Sequence, residues 1–387
     1  TREEKHSTRG RAHLLWELLQ GEVLEGGWQN DEVKEALDLC LSCKACKSEC
    51  PTNVDLATYK AEFLSHYYEG RPRPLNAYAF GMIDRWARLA SYTPRLANAL
   101  GRLAPVRSVV ASLLHIHPSR RLPEFGARTF RARLSKVGRN CSSAKSAAAG
   151  ATAGTVLLWA DTFTNYFQPH IAEAAHQVLS DAGFNVKVLQ RHVCCGRPLY
   201  DFGMLDKAKV YLAVALDALA EEISAGTAIV VLEPSCASVF KDEAPNLMPD
   251  DPRTAKLKQQ TMLLSEFLTR HAPGYAPAKT DRSMLVHLHC HHRSLFNMKD
   301  EMAVLKATGG QVKMLDSGCC GMAGPFGFEK KSYAVSQTLG ERVLLPAVRA
   351  AEAGTLIVTD GFSCREQVAQ NTDRRAVHVA EVLAGRI

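Results

Sequence analysis

A chain of 387 residues is too long for one hydrophobic core of ordinary size and predicts two or three domains. Its 46% hydrophobic and 22% charged residues are typical of an ordinary soluble globular protein and exclude a disordered one. No apolar stretch approaches the roughly 20 residues of a membrane-spanning helix, and the charged N-terminus lacks the apolar core of a secretory signal. Twelve cysteines without an export signal predict a reducing, cytoplasmic compartment, where thiols more often bind metal or do redox chemistry than form disulfides.

The first predicted domain, residues 1 to 70, has helical spacing of apolar residues at 11 to 25 and 32 to 39. After Pro51, "VDLATYKAEFLSHYYEG" has the same period and ends at Gly70, which predicts a third helix. The sequence therefore places a dense cysteine run on a turn between helices. That run contains Cys40, Cys43, Cys46 and Cys50.

Residues 71 to 139 form a predicted basic helical connector without cysteine. They hold 14 Lys plus Arg against Asp84 and Glu124, a net charge of +12. An apolar stripe broken near Pro105 predicts two short amphipathic helices. It comprises Leu96, Leu100, Leu103, Val106, Val110 and Leu113. Two interpretations stay open: a solvated helical face, or a docking surface for an acidic partner or an anionic membrane. Nucleic acid is not expected, because no recognition motif accompanies the charge.

Residues 140 to 154 are small and polar enough to be a linker, and its Cys141 is expected to be an ordinary free thiol. Beyond the linker, short β-branched runs alternate with helical stretches, which predicts βαβ units around parallel sheets. The fold class predicted for the whole chain is α/β, with an all-α ferredoxin-type domain at the N-terminus.

The α/β region contains an internal repeat, which divides it into copy one (residues 155 to 272) and copy two (residues 273 to 387). Each copy has a Cys-Cys-Gly after its second strand and another cysteine after its third strand. Copy one has Cys194, Cys195 and Cys236, and copy two has Cys319, Cys320 and Cys364. The first strand ends in Cys290 in copy two and in Asp161 in copy one. Because ligands gather at the carboxyl ends of parallel strands, these cysteines are expected to converge in space.

The dense run has the spacing C-x2-C-x2-C-x3-C-P, a bacterial ferredoxin pattern for a 4Fe-4S cluster. Two-residue gaps on a tight turn bring three sulfurs round one face of a cubane. A structural zinc site is the alternative, but such sites usually divide into two separated ligand pairs.

The ferredoxin run, the preceding "STRGRAHLL" and the two Cys-Cys-Gly repeats together resemble the iron–sulfur subunits of glycolate oxidase and anaerobic glycerol-3-phosphate dehydrogenase. "TREEKHSTRGRA" and "CLSCKACKSECP" followed by "ATYKAEFLSHYY" also resemble the C-terminal half of fused FAD-linked dehydrogenases of D-2-hydroxy acids such as D-lactate and D-2-hydroxyglutarate. The resemblance implies an electron relay from substrate through flavin and iron–sulfur clusters to an acceptor. FAD is expected only in a fused or partner domain.

Two departures from that family pattern limit the comparison. Relatives usually carry a second ferredoxin-type cysteine group upstream of "TREEKHSTRGRA", and the flavin domain is also missing from this sequence. The chain is therefore expected to be a fragment or a separated subunit. In two-cluster ferredoxins the fourth cysteine binds the other cluster, so Cys50 could serve a different cluster from its neighbours.

The repeats also resemble heterodisulfide reductase subunits, which carry a C-x2-C after the third strand. Here Glu233 and Gly361 stand where the first of those cysteines would be, so this catalytic interpretation is the weaker one. Copy two has enough cysteines for one ordinary cluster. Copy one has three, with Asp161 or His192 as possible fourth ligands, or it is a vestigial half that docks a partner.

Four histidines surround Cys290 in "HLHCHHRS" and could supply a zinc site or hydrogen bonds near cluster sulfurs. They are His287, His289, His291 and His292. We expect most of them to be structural and none to be a catalytic base. Since the sequence has no nucleophile elbow, Walker loop or dinucleotide fingerprint, the chain is not expected to be catalytic without a flavin domain. The remaining alternative is a zinc-stabilised interaction module without redox function.

Overall fold

The computed structural model describes residues 3 to 140 and 153 to 387. Cys141 and most of the predicted linker lie outside the described residues. Within the described part of the chain, no helix is long and apolar enough to cross a membrane.

The N-terminal region is helical, as predicted. Its α-helices are Thr8–Gln20, Asp31–Asp38, Ala45–Glu49 and Leu56–Tyr67, with short 3₁₀ turns at Glu4–His6 and Gly27–Gln29. Ser7 caps the first helix by accepting a hydrogen bond from the Gly10 amide, and Gly21 ends it in a left-handed conformation. The buried residues of these helices form their own apolar core, which includes Leu18, Leu37 and Phe63.

The connector contains the two predicted amphipathic helices and three others. Its helices are Leu75–Gly81, Ile83–Ala90, Pro94–Arg102, Ala104–Leu113 and Phe130–Asn140. The stripe is broken near Pro105, as predicted: the junction is Leu103, and Pro105 lies in the first turn of the next helix, where no amide hydrogen bond is lost.

Each repeat forms a four-stranded parallel sheet. The strands of copy one are β1 (Thr155–Trp159), β2 (Asn185–Lys187), β3 (Ala228–Val231) and β4 (Thr261–Leu263), in the order β2-β1-β3-β4. Those of copy two are β5 (Met284–Val286), β6 (Val312–Met314), β7 (Leu356–Val358) and β8 (Ala376–Val377), in the order β6-β5-β7-β8. The α/β fold and the repeat are thus confirmed. The fourth strand of each sheet was not predicted.

Helices cover both sheets. In copy one they are Thr162–Tyr166, Pro169–Asp181, Arg197–Asp201, Leu205–Ala218, Ala220–Ala225, Pro234–Ser238, Ala244–Leu247, Pro252–Gln260 and Leu264–His271, with a π-helix at Val239–Glu243. In copy two they are Cys290–Leu295, Met298–Lys306, Tyr333–Arg342, Leu344–Ala350, Phe362–Asn371 and Val379–Leu383, with a 3₁₀ turn at Gly324–Gly327. One apolar core contains Leu158 and Val230 of copy one together with Val286 and Val358 of copy two. The copies therefore pack directly against each other, and the division at residue 272 stays a prediction.

Candidate metal centres

The ferredoxin run is partly helical, which corrects the prediction of a simple turn. Cys46 lies on the short helix Ala45–Glu49. Ahead of that helix, Ser42 (φ 51°) and Lys44 (φ 63°) both have left-handed backbone conformations. Such conformations cost energy in residues other than glycine. Side-chain contacts of Lys44 offset that cost: its fully buried ammonium lies 2.7 Å from Asp55 and 2.8 Å from Asp242.

Three of the run's four cysteines gather around Arg11. Burial lowers the pKa of Arg11, and the nearby thiols of Cys40, Cys43 and Cys46 partly offset this effect. The Arg11 Nε atom donates to the Ala36 carbonyl at 2.8 Å, which fixes the guanidinium in place. A cation at this position balances the negative charge of a thiolate-ligated cluster.

Cys50 has a different environment from those three. Its partly exposed sulfur lies 3.2 Å from Thr52 Oγ1, and this hydrogen bond lowers the pKa of Cys50. Burial raises the pKa of Cys43 to about 12, with further contributions from Cys290 and then from Cys40 and Cys46. The environment of Cys43 thus includes a cysteine of copy two.

Copy two brings its four cysteines together. Cys290 interacts with Cys319, Cys319 with Cys320, and Cys320 with Cys364. The pKa of Cys290 is raised well above its ordinary value by the contact with Cys319 and then by burial. Crowded thiols of this kind ionise together only when a bound metal balances their charge. Copy two therefore contains a contiguous set of four thiols.

Sequence analysis did not single out His287 for this group. Its imidazole and the sulfurs of Cys320 and Cys364 place ligand atoms within 4.8 Å of one another. Burial lowers the pKa of His287 to about 3, and its Nδ1 atom lies 2.7 Å from Ser317 Oγ, while Nε2 has no hydrogen-bond partner. Strand position alone could not distinguish His287 from the neighbouring histidines.

Copy one brings three cysteines together. The Cys195 sulfur donates to that of Cys236 at 3.2 Å, and Cys194 interacts with Cys195. In Cys236 the contact with Cys195 lowers the pKa, but burial and the carboxylates of Asp161 and Glu233 raise it to about 12 overall.

The sequence placed Asp161 of copy one at the position equivalent to Cys290 of copy two, and this alignment is wrong by one residue. Asp161 caps the helix Thr162–Tyr166, and His289 caps the helix that begins at Cys290. Asp161 therefore corresponds to His289, and Thr162 corresponds to Cys290. The Thr162 hydroxyl is buried without a hydrogen-bond partner, at the position where copy two has a thiol.

Both proposed fourth ligands of copy one make hydrogen bonds within the protein. Asp161 accepts hydrogen bonds from the amides of Phe163 and Thr164 and from the Thr164 hydroxyl. The ring nitrogens of His192 lie 2.8 Å from the Tyr166 hydroxyl and 3.2 Å from Asp84. Copy one thus has three thiols, and either candidate fourth ligand would have to give up hydrogen bonds to bind a metal.

The positions that distinguish heterodisulfide reductases are occupied differently here. A Cβ atom on Gly361 would lie 2.2 Å from the ring of His289, so this site has no room for cysteine as it stands. Glu233 accepts hydrogen bonds from the Ser235 hydroxyl at 2.8 Å and from the Phe362 amide of copy two at 2.7 Å. Glu233 joins the two copies instead of binding metal.

Two of the other histidines near Cys290, His289 and His291, make hydrogen bonds to the main chain. His289 Nδ1 accepts from the His291 amide, and His291 Nε2 lies 2.9 Å from the Ser42 carbonyl of the ferredoxin run. The helix that begins at Cys290 also donates from Ser294 to the Cys43 carbonyl at 3.3 Å. These contacts hold the ferredoxin run beside copy two.

A cavity of about 340 Å³ lies where the ferredoxin run, copy one and copy two meet. It is lined by cysteines of the ferredoxin run and of both copies, together with apolar side chains such as Phe326 and Phe362. The cysteines are Cys40, Cys194, Cys195, Cys236 and Cys290. The convergence expected from the strand ends therefore extends to the ferredoxin run, which sequence alone could not place.

Comparison with known proteins identifies the two repeats. Residues 161–241 and 284–369 match the cysteine-rich domain family CCG. Lactate utilization protein A of Bacillus velezensis is 30% identical over 60% of this chain and 99% of its own length. The chain belongs to the CCG family of cysteine-rich proteins.

Other relatives are a dehydrogenase and a subunit of another dehydrogenase. A subunit of the anaerobic glycerol-3-phosphate dehydrogenase of Escherichia coli is 27% identical, covering 86% of this chain and 82% of its own length. The D-2-hydroxyglutarate dehydrogenase of Pseudomonas putida is 27% identical over 99% of this chain, which spans 40% of that protein's length. The resemblance inferred from the sequence, to the iron–sulfur portion of such dehydrogenases, is confirmed.

Proposed function

We propose that this chain is the electron-transfer portion of a flavin-dependent D-2-hydroxy acid dehydrogenase, acting on D-lactate, D-2-hydroxyglutarate or glycolate. In this role it takes electrons from reduced flavin in a fused or partner domain and passes them to a downstream acceptor. The observation that carries the proposal is the cavity at which cysteines from all three regions meet. Iron–sulfur clusters supply one-electron redox chemistry, and cysteine thiolates are the ligands they prefer.

The residues present fit two clusters, one in the ferredoxin run and one in copy two, and Cys50 belongs to neither of them. We assign Cys40, Cys43 and Cys46 to a 4Fe-4S cluster, with Arg11 as the balancing cation, and Cys50 to a different cluster. We assign a second cluster to copy two, with Cys290, Cys319, Cys320 and Cys364 as ligands. Cys194, Cys195 and Cys236 of copy one form an incomplete set, because Thr162 stands in the fourth position.

Two alternatives have less support. A heterodisulfide-reductase-like catalytic subunit would need cysteine at positions 233 and 361, where this chain has Glu233 and Gly361. A zinc-stabilised interaction module would leave the adjacency of Cys43 and Cys290 without a purpose, since two structural zinc sites need no mutual proximity.

Metal and sulfide analysis of anaerobically purified protein tests the proposal. We expect iron and acid-labile sulfide in comparable amounts, broad visible absorption that dithionite bleaches, and a paramagnetic resonance signal after reduction. Zinc in place of iron, with no visible absorption, would favour the interaction module.

Peripheral binding to an anionic membrane is a second proposed activity, and the connector supports it. The helices Ile83–Ala90, Pro94–Arg102 and Ala104–Leu113, with the junction between the last two, expose large apolar side chains instead of burying them. The exposed residues include Trp86, Leu89, Leu96, Leu100, Leu103, Val109 and Leu113, each 45% exposed or more. Basic residues lie among them in a segment of net charge +12. Amphipathic helices with this combination bind anionic lipid surfaces without spanning them.

A further inference from the structure

Apart from the cysteine groups, three side chains form a buried cluster in copy two. The ligand atoms of His292, Glu301 and Asp360 lie within 4.8 Å of one another. Their exposed fractions are 1%, 0% and 5%. They come from three elements, since His292 and Glu301 lie on successive helices and Asp360 follows β7. Tertiary packing, rather than local sequence, brings them together.

Several atoms of the cluster that could bind a metal ion have no hydrogen-bond partner. These are both ring nitrogens of His292 and the Oε1 atom of Glu301. Glu301 Oε2 lies 3.7 Å from His292 Nδ1 and 3.5 Å from the hydroxyl of Ser265. Buried polar atoms are nearly always hydrogen-bonded. Free lone pairs that converge at one buried point are therefore a donor set for a cation.

Nearby basic side chains do not neutralise the two carboxylates. Among the described residues, neither Glu301 nor Asp360 forms an ion pair with lysine or arginine. His378 Nε2 lies 3.5 Å from Asp360, but it is already directed at the Leu232 carbonyl at 3.1 Å, while its Nδ1 accepts from the Ala380 amide. Burial, and then the adjacent Asp360, raise the pKa of Glu301 well above its ordinary value. Two adjacent buried carboxylates without a counter-charge are strongly unfavourable.

We propose that His292, Glu301 and Asp360 bind a Zn²⁺ ion at a site separate from the cysteine groups. One imidazole nitrogen and two carboxylates are ligands that zinc accepts, whereas iron–sulfur clusters select thiolates. Ser265 or water completes the coordination.

The site is separate because Cys290 and His292 point to different sides of their helix. Residues two apart on an α-helix differ by roughly 200° around its axis. The ion joins the helix Cys290–Leu295 to the end of β7, which leads to Cys364. Its effect is to position two of the copy-two thiols.

Zinc K-edge X-ray absorption on the full chain tests the site. The protein is purified anaerobically with its iron and dialysed against Zn²⁺. We expect a bound zinc ion with nitrogen and oxygen ligands at about 2.0–2.1 Å, distinct from any zinc on the thiols of copy one, which would show sulfur at about 2.3 Å. Zinc with sulfur ligands alone, or no zinc retained after dialysis, would overturn the proposal.

Glu301→Gln should weaken zinc binding at least about tenfold. The matched control is Glu266→Gln, another buried glutamate, which instead pairs with Arg270 at 2.7 Å and should leave zinc affinity unchanged. Equal zinc affinity in Glu301→Gln and wild type would also overturn the proposal. If Glu301→Gln does not fold, the ligand shell of the wild-type zinc decides the question.

Discussion

The guanidinium of Arg197 donates a hydrogen bond to the main-chain carbonyl of Ser42 at 3.1 Å. Arg197 begins a helix of copy one, and Ser42 lies inside the ferredoxin run. The same guanidinium contacts Glu243 at 2.6 Å, and His291 of copy two reaches the same carbonyl. All three regions that carry cysteines thus meet at one main-chain group.

Arg197→Met should destabilise the chain strongly, because it leaves the fully buried Glu243 with Lys44 as its remaining charged partner. Breaking a buried ion pair costs about 3–5 kcal/mol. Denaturant unfolding of the metal-free chain measures the loss. Arg253→Met is the control, since Arg253 forms half-exposed pairs with Asp217 and Asp251 and should cost about 1 kcal/mol or less. Equal losses would contradict a special role for the Arg197 contacts.

Cys43→Ser should remove the iron of one cluster, whereas Cys50→Ser should retain it. Cys43 lies near Cys40, Cys46 and Cys290, whereas Cys50 makes a hydrogen bond with Thr52. Iron content and paramagnetic resonance spectra of both variants check this difference. Identical losses of iron would place Cys50 in the same cluster and refute our assignment.

Cys320→Ser should change metal content more than Cys195→Ser, because copy two has four contiguous thiols and copy one has three. Thr162→Cys supplies copy one with a thiol at the position equivalent to Cys290 and should raise the iron content. Iron-to-protein ratios of the three variants, measured after anaerobic reconstitution, check both expectations. Equal losses in the two serine variants would mean that copy one holds a cluster already, or shares one with copy two.

The sequence predicted these cysteine groups well, because Cys-Cys-Gly after a strand is a local pattern and parallel strands share one edge. The sequence did not give the correct alignment of equivalent residues in copy one and copy two. Asp161 and His289 are equivalent because each caps a helix, but they are chemically unlike. The sequence therefore did not reveal that Thr162 is the residue of copy one equivalent to Cys290. Strand β4 lies directly between two helices, with no turn residues to separate it from them, and β8 has only two residues.

Long-range contacts could not be predicted from local pattern either. Lys44 and Asp242 are 198 residues apart, and nothing in the chain near either residue indicates their pairing. Helical periodicity found the apolar stripe of the connector, but it could not say whether that stripe is covered. The structure exposes Leu96 by 57% and Leu103 by 51%.

Membrane binding of the connector should depend on both its apolar and its basic residues. We expect sedimentation of the chain with vesicles that contain phosphatidylglycerol, weak sedimentation with neutral vesicles, and release by salt. Leu96→Glu with Leu100→Glu should abolish binding. The control is Leu19→Glu with Val23→Glu, two exposed apolar residues of the N-terminal region. Binding that persists in the connector variant, or none to anionic vesicles, would exclude a membrane as the occupant of this surface.

The central claim, that this chain receives electrons from a flavin domain, is tested most directly by anaerobic stopped-flow absorption. The chain is mixed with the separately produced flavin domain of a D-2-hydroxy acid dehydrogenase, and D-lactate or D-2-hydroxyglutarate is added. We predict that the visible absorption of the chain bleaches only when substrate and flavin domain are both present, and that Cys43→Ser with Cys320→Ser removes this response. Flavin bound to the chain itself, hydroxy acid oxidation by the chain alone, or no bleaching beside a reduced flavin domain would contradict the account.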